Sequence, residues 1–169
     1  MTEPTAATAP TSAPPPQAER ATVHDAEAIH RLVNFWAARG DMLPRTMGEV
    51  YENIRDFFVV REGGEAVACG ALHITWADIA ELKSVAVAED RQSSGYGSVV
   101  VRACIDEGRT LGLDRVFALT YRPGFFERLG FQQADVMSLP RKVWNECYRC
   151  PKFPGCNEIA MILELKPSA

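Results

Sequence analysis

Between Glu81 and Gly97 the chain changes character twice within a short stretch. Glu81-Leu82-Lys83-Ser84-Val85-Ala86-Val87-Ala88 is an apolar, strand-like run, and Glu89-Asp90-Arg91-Gln92-Ser93-Ser94 is a polar loop punctuated at its end by Gly95 and Gly97. A helix follows at once. Val99, Val100, Ala103 and Cys104 share one stripe up to Leu111, and Gly112 is placed to close it. A strand that turns tightly into a helix restricts the fold to a sheet with a helix laid across it. Without side chains at Gly95 and Gly97, the loop can close and aim successive N–H groups at one point. With the positive end of the helix dipole, such amides suit an anion of the diphosphate kind. A plain tight turn uses glycines in the same way, so the loop alone leaves both readings open.

The flanking sequence extends this unit in both directions. Ala21-Thr22-Val23 reads as a short opening strand and Asp25 as the cap of a helix carrying Ile29, Leu32, Val33 and Trp36 up to Gly40. Thr46 and Glu49 make a capping box for a second, short helix with Val50 and Ile54. Phe57-Phe58-Val59-Val60 is a strand, Glu62-Gly63-Gly64-Glu65 a hairpin turn, and Ala66 to Trp76 and Ile79 to Ala88 the next strands. Beyond the central helix come a strand from Arg115 to Tyr121, a short helix from Phe125 to Leu129 ended by Gly130, a strand from Phe131 to Met137, and a last strand from Glu158 to Leu165. No internal repeat is visible. This order predicts an α/β (layered α+β) single domain, with one mixed central sheet and helices on both faces.

Composition narrows the function classes. The chain has 169 residues, 47% of them hydrophobic, and a formal charge of −4. That is enough for one domain with a substantial core. The acidic balance argues against nucleic acid and anionic membrane surfaces as partners, because both need a basic face. No apolar run approaches the roughly 18 residues of a membrane span. Met1 to Arg20 holds five of the eleven prolines and almost no large apolar side chain, so residues 1–20 are expected to be a disordered tail and 21–169 the domain. That tail lacks the basic start and apolar stretch of a secretory signal. The odd number of cysteines fits a reducing compartment, and the expected location is the cytoplasm.

Gln92-x-x-Gly95-x-Gly97 after such a strand resembles the acetyl-coenzyme A motif of the GNAT acetyltransferases. Pro123-Gly124-Phe125-Phe126-Glu127-Arg128-Leu129-Gly130-Phe131 resembles that family's second motif, an aromatic helix ending in Leu-Gly-Phe. The likeness covers essentially residues 21–166. Within the family the chain looks most like the short, single-domain amino-acid N-acetyltransferases of the N-acetylglutamate synthase type. The suggestive pieces are Leu43-Pro44-Arg45, Gly70-Ala71-Leu72, Ala80 to Ser84, Leu119-Thr120-Tyr121 and the segment Trp144 to Cys156.

The resemblance implies acetyl-CoA as co-substrate, with Val85, Ala86 and Val87 pairing with the pantetheine arm. A backbone N–H there would polarise the thioester. The diphosphate would rest on the amides of Gln92, Ser93, Ser94, Gly95, Tyr96 and Gly97, with Arg91 as an additional cation. Glu81 is the candidate general base, since desolvation at the mouth of a buried strand raises a carboxyl toward the useful range. Its competing role is a surface or salt-bridged glutamate. Phe126 stands where many relatives carry a tyrosine that protonates the departing thiolate, and Tyr121 is the candidate substitute, unless it is simply a packed strand aromatic. The implied acceptor is L-glutamate, whose carboxylates a guanidinium grips well, in a step of arginine biosynthesis. Leu43, Arg45 and Lys83 are the candidate acceptor residues, with Arg55 and Arg122 behind them. Strict alternation would put Glu81, Lys83 and Val85 on one strand face. Other amines (a polyamine, an antibiotic, a protein N-terminus) and a non-catalytic acetyl-CoA sensor remain alternatives. A homodimer is one option for assembly.

Cys147-x-x-Cys150 followed by Cys156 is compatible with a metal knuckle, a redox pair or reduced packing cysteines. A structural zinc site wants four ligands, and His24, His30 and His73 all lie far upstream. No metal is predicted. Cys69 and Cys104 read as small core residues, and His30 and His73 as structural.

Overall fold

The computed structural model describes residues 14–139, 147–152 and 155–166. Seven strands form one sheet in the order β1-β2-β3-β4-β5-β7-β6. They are β1 (Ala18–Arg20), β2 (Phe57–Glu62), β3 (Glu65–Ile74), β4 (Ile79–Val87), β5 (Arg115–Thr120), β6 (Gln132–Ala134) and β7 (Ile159–Glu164). The α-helices that lie wholly within the described residues are α1 (Ala26–Ala37), α2 (Met47–Glu52), α3 (Tyr96–Thr110) and α4 (Pro123–Glu127). Every neighbouring pair is antiparallel except β4 with β5, the pair joined through α3.

The sheet is covered on both sides, as the element order predicts. The stripe of α3, Val100, Val101, Cys104 and Ile105, packs with Phe58, Val60, Leu72, Leu82 and Val116 on one face. On the other face Ala26, Ile29 and Val33 of α1 and Val50 of α2 pack with Val59, Cys69, Ala71 and Ala86. The α2 box forms as expected, with the Thr46 hydroxyl accepting from Glu49 N at 3.1 Å and the Glu49 carboxylate accepting from Thr46 N at 2.7 Å.

Three expectations need correction. The opening strand is Ala18–Arg20, inside the segment expected to be disordered, while Val23–Asp25 is a 3-10 turn. A strand added to the edge of β2 needs only backbone pairing, so small side chains suffice, and the Arg20 guanidinium lies 5.1 Å from the Phe58 ring centre. Residues 1–13 lie outside the described part, as do Trp144 and its neighbours. Second, Asp25 does not cap α1 through its side chain. The buried carboxylate instead accepts from Thr22 N at 2.7 Å and pairs with Arg61 at 2.7 Å. Third, the stretch expected as one strand from Phe131 to Met137 is only β6, followed by a 3-10 turn at Val136–Ser138 where Asp135 accepts from Met137 N.

Candidate active site

The site begins with two departures from regular sheet. β4 pairs with β5 only from Ile79 to Glu81, opposite Arg115 to Phe117; beyond that point β5 continues against β7 alone. The two parallel strands therefore part, and the cleft between them is floored by the C-terminal half of β4. In the same half β4 bulges. Cys69 faces Ala86 while Ala71 faces Lys83, so β4 carries one extra residue there, and Ser84 takes a left-handed φ of 54°.

The bulge resets the alternation of side chains, which overturns the expectation that Glu81, Lys83 and Val85 share a face. Ala80 and Leu82 before the bulge, and Val85 and Val87 after it, pack in the cluster under α3. Gly70 sits across from the bulge. A Cβ there would come 2.6 Å from Val100 Cγ1 and 3.3 Å from Val85 Cγ2, so glycine permits the close approach of α3 to β3. Glu81 and Lys83 keep their common face.

Two adjoining cavities open on this cleft. One, of about 370 Å³, is lined by Leu43, Arg45, Glu81, Lys83 and Val85 together with Cys147, Cys150, Cys156 and Glu158. The other, of about 160 Å³, is lined by Trp36, Val85, Ala86, Val87, Gln92, Gly97, Tyr121 and Phe125. Asp41, Met42, Val85, Thr120 and Phe126 border both. The structure thus brings Leu43, Arg45, Lys83 and Glu81 together in one chamber, and Val85–Val87, Gln92, Gly97 and Tyr121 in the next. Ser93, Ser94, Gly95 and Tyr96 belong to the loop and helix start beyond the second chamber. Arg55 lines neither.

Local bonds explain how each part is held. The amide of Asn34 on α1 donates to Arg45 O at 2.8 Å and accepts from Arg45 N at 3.1 Å, pinning the Leu43–Arg45 loop by its backbone. Val87 O accepts from Trp36 Nε1 and from Gln92 Nε2, both at 2.8 Å, tying the end of β4 to α1 and to the glycine loop. Ser93 and Gly95 both have left-handed φ, 62° and 85°. The first-turn amides of α3 have no intrahelical acceptors, and that of Tyr96 donates to Ser94 Oγ at 3.3 Å. Gly97 leaves only 3.4 Å between a notional Cβ and Phe125 Cζ, so a side chain there would crowd the second chamber.

Some expected groups are turned elsewhere. Arg91 bonds Glu62 Oε2 and Asp90 Oδ2 at 2.8 and 2.9 Å, so its charge is already met by carboxylates. The Tyr96 hydroxyl also donates to Glu62; that bond pushes the phenol up from its ordinary range and holds Glu62 below its own. The Tyr96 hydroxyl is thus committed to Glu62 in this structure. Arg122 pairs with Asp41 at 3.2 Å. The Tyr121 hydroxyl accepts from Lys152 Nζ at 2.8 Å, and the same ammonium donates to Gly40 O at 2.8 Å; the bond to Tyr121 raises Lys152. Phe126 is buried among Phe125 and Phe131 with no polar atom to offer. Sequence reasoning missed Asn34, Asp41 and Lys152. Each reaches the site from a separate stretch of chain, and nothing local in the sequence marks them.

Residues 25–131 match the Acetyltransferase (GNAT) family. An uncharacterized N-acetyltransferase of Chlorobaculum tepidum is 37% identical over 86% of this chain and 94% of its own length. An amino-acid acetyltransferase of Mycobacterium tuberculosis is 34% identical over 90% of this chain and 88% of its own. Among solved structures, an M. tuberculosis protein in complex with CoA and NLQ superposes with a TM-score of 0.78 at 29% identity, covering 89% of this chain and all of that one. N-acetylglutamate synthase from Neisseria gonorrhoeae, complexed with CoA and N-acetyl-glutamate, gives 0.80 at 27% identity over 92% of this chain; the match spans 36% of that longer protein.

Proposed function

Because this chain belongs to the Acetyltransferase (GNAT) family, and is thus an N-acetyltransferase, we propose that it moves the acetyl group of acetyl-CoA onto the α-amino group of L-glutamate. The observation that carries the choice of acceptor is the meeting of Arg45, Lys83 and Glu81 in one chamber. Two cations suit an acceptor with two carboxylates, and a guanidinium can hold one of them bidentately. Asp41, Glu81 and Glu158 line the same chamber, so the choice rests on the two cations as partners for the two carboxylates and not on its net charge. The Neisseria structure with CoA and N-acetyl-glutamate supports the same choice.

Transfer requires a neutral amine, and Glu81 takes the ammonium proton directly or through water. The amine nitrogen then attacks the thioester carbon, which lies along the unpaired edge of β4 beyond Glu81. A backbone N–H among Val85–Val87 polarises the carbonyl oxygen. The C–S bond breaks and the thiolate leaves. A thiol of pKa about 8.5 departs tolerably as thiolate, and Tyr121, whose hydroxyl accepts from Lys152, is the residue assigned to return a proton. The diphosphate rests on the amides from Gln92 to Gly97 at the start of α3. This step serves arginine biosynthesis, in the cytoplasm.

Release of CoA, followed against a panel of amines, tests the assignment. L-glutamate is expected to be turned over well above spermidine, an aminoglycoside or a peptide N-terminus. Good turnover of a cationic amine with none of glutamate would overturn it.

A further inference from the structure

The three cysteines before β7 take no part in the transfer set out above, yet they form part of the wall of the acceptor chamber. Cys147, Cys150 and Cys156 all line that cavity, in the company of Glu81 and Glu158. Cys150 N donates to Cys147 O at 3.0 Å, closing a tight turn. Such a turn holds its first and last Cα atoms within about 7 Å, and disulfides span Cα separations of about 4.4–6.8 Å. Cys147 and Cys150 are half-buried, whereas Cys156 is exposed with its thiol 3.6 Å from Glu158 Oε2. Burial, and after it the negative field of Glu81, push the Cys147 thiol up to about 11. Among the described residues no group of three or more His, Cys, Asp or Glu side chains is gathered to hold a metal ion. Chemistry between two thiols therefore fits this arrangement better than a metal knuckle.

We propose that Cys147 and Cys150 form a reversible disulfide in the wall of the acceptor chamber, made by exchange with a low-molecular-weight disulfide. Cys150, reacting as its thiolate, makes the first attack. It bonds one sulfur of the small disulfide and expels the other as a thiolate. Cys147 then attacks Cys150 in the mixed disulfide, forming the intramolecular S–S bond and expelling the second small thiolate. The two protein thiols lose two electrons and the small disulfide gains them; the two protons pass to the two released thiols. Neither cysteine lines the cavity bordered by Val87 and Gln92. The bridge therefore changes acceptor binding and leaves the coenzyme side alone. That consequence rests on the function proposed above; formation of the bond does not.

The test equilibrates the full chain in glutathione buffers of graded oxidised-to-reduced ratio, alkylates the remaining thiols and maps the peptides by mass. The expected result is loss of two hydrogen atoms across Cys147 and Cys150, reversed by dithiothreitol and retained in Cys156→Ser. Cys147→Ser should trap glutathione on Cys150. A bridge that contains Cys156, no bridge at any ratio, or stoichiometric Zn(II) protecting all three thiols would overturn the proposal. With acetyl transfer as readout, the bridged protein should show acceptor KM raised at least ~3-fold at unchanged acetyl-CoA KM. Bridged protein with unaltered acceptor kinetics would refute its place in the chamber. Failure of the acceptor assignment shows separately, as absence of glutamate turnover in the fully reduced protein.

Discussion

The two chambers that meet at Val85, Thr120 and Phe126 are made of different materials. The coenzyme side takes its anion-binding part from the end of β4, the glycine loop and the start of α3, contiguous from Val85 to Gly97, while Trp36, Tyr121 and Phe125 wall its chamber. Its chemistry is that of backbone amides and a helix dipole. The acceptor side gathers side chains from the Leu43–Arg45 loop, from β4 before its bulge, from β5 and from the cysteine segment. A site of backbone is fixed by conformation and fails when φ is wrong. A site of side chains is fixed by charge and fails when a group is removed. The β4 bulge lies at their junction: Glu81 and Lys83 before it line only the acceptor chamber, Ala86 and Val87 after it only the coenzyme chamber, and Val85 borders both.

The largest effect is expected at the seam. Glu81→Gln keeps the shape of the chamber but cannot accept a proton, so kcat should fall by about 10²–10³-fold with acetyl-CoA KM little changed. Unaltered turnover would mean that Glu81 is not the base. Next comes Arg45→Ala, expected to raise glutamate KM by about 30–100-fold, the worth of a charged hydrogen-bonded contact. Arg45→Lys should recover only part of it, because the fork is lost.

A substitution remote from both chambers should leave the comparison untouched. Burial by itself raises the Asp25 carboxyl, but bonds from Arg61 and Thr22 outweigh that and hold it below the ordinary 3.8. Its folded pKa is thus depressed, so the stability it contributes is present above the unfolded value and lost as pH falls through the folded one. Asp25→Asn should cost about 2 kcal/mol near neutrality, because Arg61 keeps only its pairing with Glu19, and flatten the acid limb of a Tm-against-pH curve. Neither KM should move. The smallest effect is expected for Gly95→Ala. The left-handed φ of 85° at Gly95 costs a Cβ-bearing residue about 1–2 kcal/mol, which should appear as roughly tenfold weaker acetyl-CoA binding with glutamate KM unchanged.

How far each side could be read from sequence follows from the same contrast. The loop, the capping box of α2 and the hairpin at Gly63-Gly64 are local devices, and local residues announce them. The bulge was not legible, because nothing in Lys83-Ser84-Val85 marks Ser84 for a left-handed φ. The clue was Gly70 on the partner strand, which only the pairing of β3 with β4 makes relevant. Arg45 and Lys83 were recognisable as candidate cations, but the Asn34 clamp that sets Arg45 comes from α1 through tertiary contact. β1 escaped because edge pairing needs little from its side chains. The cysteines stood out as a motif, and only the path of the chain places them beside Glu81.

Crossed Michaelis analysis of Arg45→Ala and Gly95→Ala, varying glutamate and acetyl-CoA in turn, tests this division most directly. The expected result is that Arg45→Ala moves only the glutamate KM and Gly95→Ala only the acetyl-CoA KM. If either change moved both constants by the same factor, the two chambers would not be separate sites, and the assignment of donor and acceptor to them would be contradicted.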